Sequence, residues 1–175
     1  SFYSYNQSST KYDEGFLMLP LHTPAEGKCK LYFNIVRIIF RKKINYVNRH
    51  RLIRDLENYT ASAEEELFRP KFLELLLHPD AYHRFHLPGH MTASAWIVDE
   101  SKKYVLLTHH AKLNRWLQPG GHADGDEDIL AVALREAEEE TGLKNFNPIH
   151  PGIFDIDIHT IPARKEFPQH LHYDI

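Results

Sequence analysis

Apolar and polar positions repeat with different periods along the chain, and the changes of period predict its elements. From Leu52 to Leu77 the apolar positions recur at helical spacing. Ser62 followed by Glu65 makes a capping box ahead of ELFRPKFLELLL, and His78-Pro79 ends the run. Beyond Gly89 the pattern shortens. TASAWIVDE and YVLLTHH are two apolar runs split by a polar SKK turn, which predicts paired strands at the heart of a sheet. Between Asp128 and Thr141 no Gly or Pro interrupts a run dominated by Ala, Leu and Glu, so a helix of about three to four turns is expected, stopped by Gly142. Asp126 is its expected N-cap, and Leu130, Ala133, Leu134 and Ala137 its packing stripe. GIFDIDIHTI and HLHYDI then alternate as two further strands. The resulting layout is an N-terminal segment over 1–47, basic from Lys28, a helical add-on over 48–88, and an α/β domain over 89–175.

Composition narrows the class. With 175 residues, 42% hydrophobic and 26% charged, the chain has room for one domain and an added helical segment. A net charge of −3 implies no overall preference for nucleic acid. Lys28 to Arg54, however, carries nine Lys/Arg and no acid around LYFNIVRIIF. That segment suits an interfacial or nucleic-acid-binding element, or a strand or hairpin with solvated basic ends, and the second is the expectation. A single cysteine, Cys29, excludes an internal disulfide framework and fits a reducing compartment. No apolar run reaches the roughly 18 residues of a membrane span and no signal peptide is recognisable, so the cytoplasm is expected and no membrane partner.

The candidate chemistry lies in GGHADGDEDILAVALREAEEETGL, Gly120 to Leu143. On a helix, Glu136, Glu139 and Glu140 stack three carboxylates within an arc of about 100°, where like charges repel by a few tenths of a kcal/mol unless a cation sits among them. Three readings fit. A solvated acidic face leaves the glycine-rich entry loop unexplained. A phosphate cradle at the helix start is opposed by Asp124, Asp126, Glu127 and Asp128, and no Gly-Lys-Ser/Thr follows. A site for a hard cation uses the carboxylates as they stand.

These residues carry a resemblance. Gly121, Glu127, Arg135-Glu136, an apolar Ala137, Glu139-Glu140, Gly142 and aliphatic Leu143, at these spacings, resemble the Nudix box at all seven of its fixed positions. Ala137 stands where the family more often has a larger aliphatic residue, and RWLQPGGHADGDED resembles the segment leading into the box. The resemblance implies a Nudix-type α/β/α sandwich with a mixed sheet. It implies Glu136, Glu139 and Glu140 as ligands of Mg²⁺ or Mn²⁺, with Glu127 and Arg135 as orienting partners. The catalytic set is then Glu127, Arg135, Glu136 and Glu139, while Trp116, Gly120, Gly121 and His122 are candidate substrate contacts. The general base stays open among Glu139, Glu166 and residues beyond the C-terminus.

The implied function is divalent-metal-dependent hydrolysis of the diphosphate linkage in a nucleoside diphosphate joined to another moiety. The implied partner is a small-molecule nucleotide derivative rather than nucleic acid, and a homodimer is left open. A non-catalytic, nucleotide-sensing Nudix domain is the alternative, and an isomerase resembling the family lacks its additional cysteine here, since Cys29 lies far upstream. Family members normally continue past the last strand with further strand and helix, so a C-terminally incomplete domain is expected. Thirteen histidines stand out. His109, His110, His122, His159, His170 and His172 fall in the domain and are read as hydrogen-bonding surface or cleft residues, since none shows the H-E-x-x-H spacing of a helical zinc site, with a Zn²⁺, Mn²⁺ or Fe site as the alternative.

Overall fold

The computed structural model describes the backbone of residues 16–20 and residues 49–111, 113–150, 152–165 and 167–175. Residues 28–48 of the basic segment and Glu166 lie outside the described residues. Arg49 to Arg54, the end of that segment, form helix rather than strand. Helix α1 (Arg49–Asn58) and helix α2 (Glu65–Leu75) divide the predicted helical region in two. The capping box forms as expected: the Ser62 N–H donates to the Glu65 carboxylate at 2.6 Å, and the Glu65 N–H donates to the Ser62 hydroxyl at 3.3 Å.

Two four-stranded sheets follow. The first is antiparallel and is built from β1 (Phe16–Pro20), β3 (Ile97–Val98), β4 (Tyr104–His110) and β5 (Arg115–Leu117), with β4 pairing the other three. Strand β1 belongs to a stretch whose sequence predicts no element. The second sheet is mixed, in the order β6 (Gly120–His122), β2 (Gly89–Ser94), β8 (His170–Asp174), β7 (Asp157–Ile161). Strands β2 and β8 run parallel; β6 and β7 are antiparallel to them. The TASAWIVDE run is therefore split. Its first half belongs to β2 in the mixed sheet and its second half to β3, which makes the expected hairpin with β4 through Ile97↔Leu106 and Val98↔Val105.

Alternation along the mixed sheet sends side chains to two unlike faces. Met91, Ala93 and Tyr173 join Leu52 and Leu56 of α1, Phe72 and Leu75 of α2, and a third helix, α3 (Ile129–Thr141), through Ile129, Val132 and Ala133, in one continuous core. The stripe that α3 buries is Ile129, Val132, Ala133, Ala137 and Thr141, rotated from the expected one, because Leu130 and Leu134 are only half-buried. Both stripes have helical spacing; the close approach of α3 to β2 and β6 selects the β-branched one. The opposite face carries His90, Thr92 and Ser94 from β2, His170, His172 and Asp174 from β8, His159 and Asp157 from β7, and His122 from β6, as the registers Thr92↔His122, His90↔His172 and His159↔His172 require. Among the described residues, three helices with a mixed and an antiparallel sheet make the expected α/β fold. HLHYDI forms the predicted strand, β8, and is paired on both sides.

Candidate active site

Helix α3 starts and stops where its sequence provides local partners. Asp128, rather than Asp126, is the N-cap, its carboxylate accepting from the Ala131 N–H at 3.0 Å. Asp126 instead accepts from the Asp128 N–H at 2.9 Å, which tightens the turn just before the helix. Gly142 ends the helix in the left-handed conformation at φ 68°, open to glycine at little cost.

The C-terminal half of α3 brings Glu136, Glu139 and Glu140 together beside the glycine strand β6. Arg135 organises them. Its guanidinium donates to Glu136 at 2.6 Å, lies 3.7 Å from Glu139, and donates to the His122 carbonyl at 3.1 Å, which ties helix to strand. The Glu136 side chain is 15% exposed and lies against Gly121, where a Cβ would collide with its carboxylate. Gly120 is equally constrained, by Ser94 on the neighbouring strand. Glu140 accepts from the Thr108 hydroxyl at 3.2 Å and from the Gly120 N–H. Withdrawal from water raises its pKa, as does the Glu136 carboxylate, against the lowering by those two hydrogen bonds. Glu139 is 60% exposed and faces solvent. Thr108, on β4, is a member of this group that sequence reasoning missed; nothing in YVLLTHH distinguishes it.

Carboxylate oxygens are the ligand type that a hard divalent cation takes. The three carboxylates lie along one side of α3, with Arg135 as the cation paired to two of them, and the Glu140 carboxyl carries the mark of a negative neighbour.

The remaining expected residues divide differently. Glu127 is turned to the helical segment: Arg49 donates to it from its backbone N–H at 3.2 Å and from its guanidinium at 2.7 Å. The acid expected to orient the box thus anchors the first residue of α1. Trp116 is buried with Val105 and Leu107 in the antiparallel sheet, its ring 5.0 Å from that of His109. His122 sends its backbone carbonyl to Arg135 but its ring to the other face, 5.2 Å from the ring of His90 and 4.9 Å from that of His172.

On that face His122, His159, His170 and His172, read as surface or cleft residues, are buried or half-buried. His170 is 7% exposed, and His90, absent from the expected set, is completely enclosed. Burial lowers His90 to about 4 and His172 to about 2, aided by the surrounding imidazoles, and it lowers His122 together with the nearby Arg84 cation. Asp174 accepts from Thr92 at 2.8 Å and Ser94 at 2.7 Å, linking β8 to β2.

Comparison with known proteins is consistent with this geometry. Residues 88–172 match the NUDIX domain family. The chain is 44% identical over 55 residues to m7GpppN-mRNA hydrolase NUDT17 of Xenopus laevis, covering 29% of this chain and 19% of that protein. It is 35% identical over 83 residues to Nucleoside diphosphate-linked moiety X motif 6 of Xenopus laevis, covering 39% of this chain and 38% of the relative. It is 36% identical over 72 residues to CMP-5'-(N-acetyl-N-hydroxy-3-aminopropyl)phosphonate hydrolase of Streptomyces rubellomurinus, covering 39% and 34%. The chain thus spans well under half the length of each of these relatives.

Proposed function

Residues 88–172 are a Nudix domain, and from that premise we propose that this protein hydrolyses the phosphoanhydride linkage of a nucleoside 5'-phosphate joined to another group, with Mg²⁺ or Mn²⁺ as cofactor. The observation that carries the reading is the placement of Glu136, Glu139 and Glu140 along one side of α3, with Glu136 against Gly121 and paired to Arg135, and Glu140 bonded to Thr108. Glu136, Glu139 and Glu140 would hold the cation. When bound, it neutralises phosphate charge and polarises phosphorus toward attack.

The chain's own residues supply the rest. Arg135 fixes the direction of Glu136 and the distance between helix and strand. The absence of side chains at Gly120 and Gly121 leaves backbone, rather than bulk, beside the carboxylates. Glu139, at 60% exposure against 15% for Glu136, is the carboxylate open to an incoming water and the described residue best placed to take its proton. The retention of every box carboxylate, each with a formed environment, favours hydrolysis over nucleotide sensing, which needs no such set.

The relatives' printed names share a nucleotide with a further group attached, in one case a CMP-phosphonate and in another the cap of mRNA. They support a nucleotide-derived substrate and leave its second half undetermined. The test is a product screen with ADP-ribose, dinucleoside polyphosphates, nucleoside triphosphates, coenzyme A, sugar nucleotides and a cap dinucleotide, each with Mg²⁺ or Mn²⁺. Release of a nucleoside monophosphate or diphosphate from one class, abolished by chelator and restored by the ion, is expected. Absence of turnover across the panel, with nucleotide binding retained, would establish the sensing alternative instead.

A further inference from the structure

The histidine face of the mixed sheet holds chemistry that the carboxylate site does not use. A diphosphate hydrolase needs oxygens, water and a hard cation; it gives no reason to bury imidazoles side by side. Two of the ring nitrogens there, Nε2 of His90 and Nε2 of His172, are shut off from water with no hydrogen-bond partner. A buried nitrogen left without a partner is costly, and His90 is completely enclosed. We propose that His90, His170 and His172 form a three-imidazole site for a late first-row transition ion of the Zn²⁺ or Co²⁺ type, separate from the carboxylate site.

One nitrogen from each of the three rings lies within 4.8 Å of the other two. The tautomers suit ligation. Nδ1 of His90 stands 3.3 Å from the His86 carbonyl and Nδ1 of His170 stands 2.9 Å from the Pro168 carbonyl. A carbonyl only accepts, so both Nδ1 atoms carry the proton and both Nε2 atoms present a lone pair. A second ring nitrogen held by a carbonyl is the usual support of a metal-bound histidine. Bonds of about 2.0–2.1 Å in a tetrahedron set nitrogens about 3.4 Å apart, so binding draws the three rings inward by modest side-chain rotation.

Imidazole nitrogens favour Zn²⁺, Co²⁺ or Fe²⁺ over Mg²⁺, so the two faces would sort ions by ligand type. The separation is geometric. Gly121 faces Glu136, while the next residue along β6, His122, turns its ring to His90 and His172. Three protein ligands would leave a fourth position for water or an anionic oxygen, and the ring of His122 lies 5.2 Å from that of His90 and 4.9 Å from that of His172. The Arg84 cation, felt by His90 and His122, is paired with Asp124 and does not stand as an uncompensated charge at the site.

The test uses the full chain, stripped with chelator, offered one equivalent of Zn²⁺ or Co²⁺ and desalted. One retained ion per chain is expected, with the intense visible bands of tetrahedral Co²⁺. His170→Gln and His172→Asn should each weaken Zn²⁺ binding by at least about 100-fold, whereas Glu136→Gln/Glu140→Gln should keep it. No retained ion in the wild type, or loss of the ion in the glutamine double variant with retention in the histidine variants, would overturn the site. Should the histidine variants not fold, X-ray absorption of the Zn²⁺-loaded wild type decides: an imidazole shell supports the proposal, and an oxygen-only shell rejects it.

Discussion

The two faces of the mixed sheet both gather atoms able to hold a cation, but they assemble them by opposite routes. On the α3 side, three carboxylates come from five consecutive positions, 136–140, and one arginine on the same helix orients two of them. On the other side, three imidazoles come from two parallel strands 80 or more positions apart, His90 on β2 and His170 and His172 on β8. The first arrangement is written in a helical repeat and survives small shifts of the sheet. The second exists only when β2 and β8 pair in register, so it belongs to the tertiary fold. A site's robustness therefore follows from how many elements must agree before its ligands meet.

The largest effect expected is on the carboxylate face. Glu139→Gln or Glu140→Gln should lower kcat by at least about a hundredfold while circular dichroism and the melting temperature stay near wild type, since each removes an anion from charge stabilisation and none from the core. Wild-type turnover in either variant would reduce this face to a solvated acidic surface.

On the polar face the expected effect is on stability. Asp174→Ala removes the acceptor shared by Thr92 and Ser94, leaving two hydroxyls on a largely enclosed surface, and should cost about 2–4 kcal/mol in urea unfolding. A loss below about 0.5 kcal/mol would show that this face is hydrated and that the pairing of β2 with β8 does not depend on the carboxylate.

Glu127→Gln separates the box as sequence from the site as structure. The ion pair with Arg49 is partly exposed, 19% and 38% for the two side chains, so its loss should cost about 1 kcal/mol and lower the melting temperature by about 2–4 °C. Turnover should stay within about threefold. A hundredfold fall in kcat would move Glu127 back among the catalytic residues, as the resemblance first suggested.

What could be read from the residues alone follows the same division. The limits of α3 were legible because Thr141, Gly142 and the acidic entry act within one turn of themselves. The three carboxylates were legible because their spacing is local. Which stripe faces the sheet was not, since Leu130/Leu134 and Ile129/Val132 satisfy the same period and only the neighbouring strands decide. The split of TASAWIVDE between two sheets was hidden because alternation fixes a face and says nothing of a partner. His90 carried no signal: its ligand-like neighbours lie at the far end of the domain, and LPGHMT reads as an ordinary strand entry.

The order of strands in the mixed sheet has a kinetic consequence. Strand β8 sits in the middle of the sheet yet follows its three partners in sequence, and the hydrogen bond from Thr92 to Asp174 closes a loop of 82 positions. At synthesis rates of roughly 5–20 residues per second, β2 waits about 4–16 s for its parallel neighbour. During that interval α1, α2, β2, β6 and α3 can collapse on Met91 and Val132, while the hydrogen-bonding edge of β2 that β8 will occupy stays unpaired. Folding of this sheet should therefore be slow relative to a local α/β hairpin and sensitive to chaperone capture in that window, because β8 must insert between two strands that already exist.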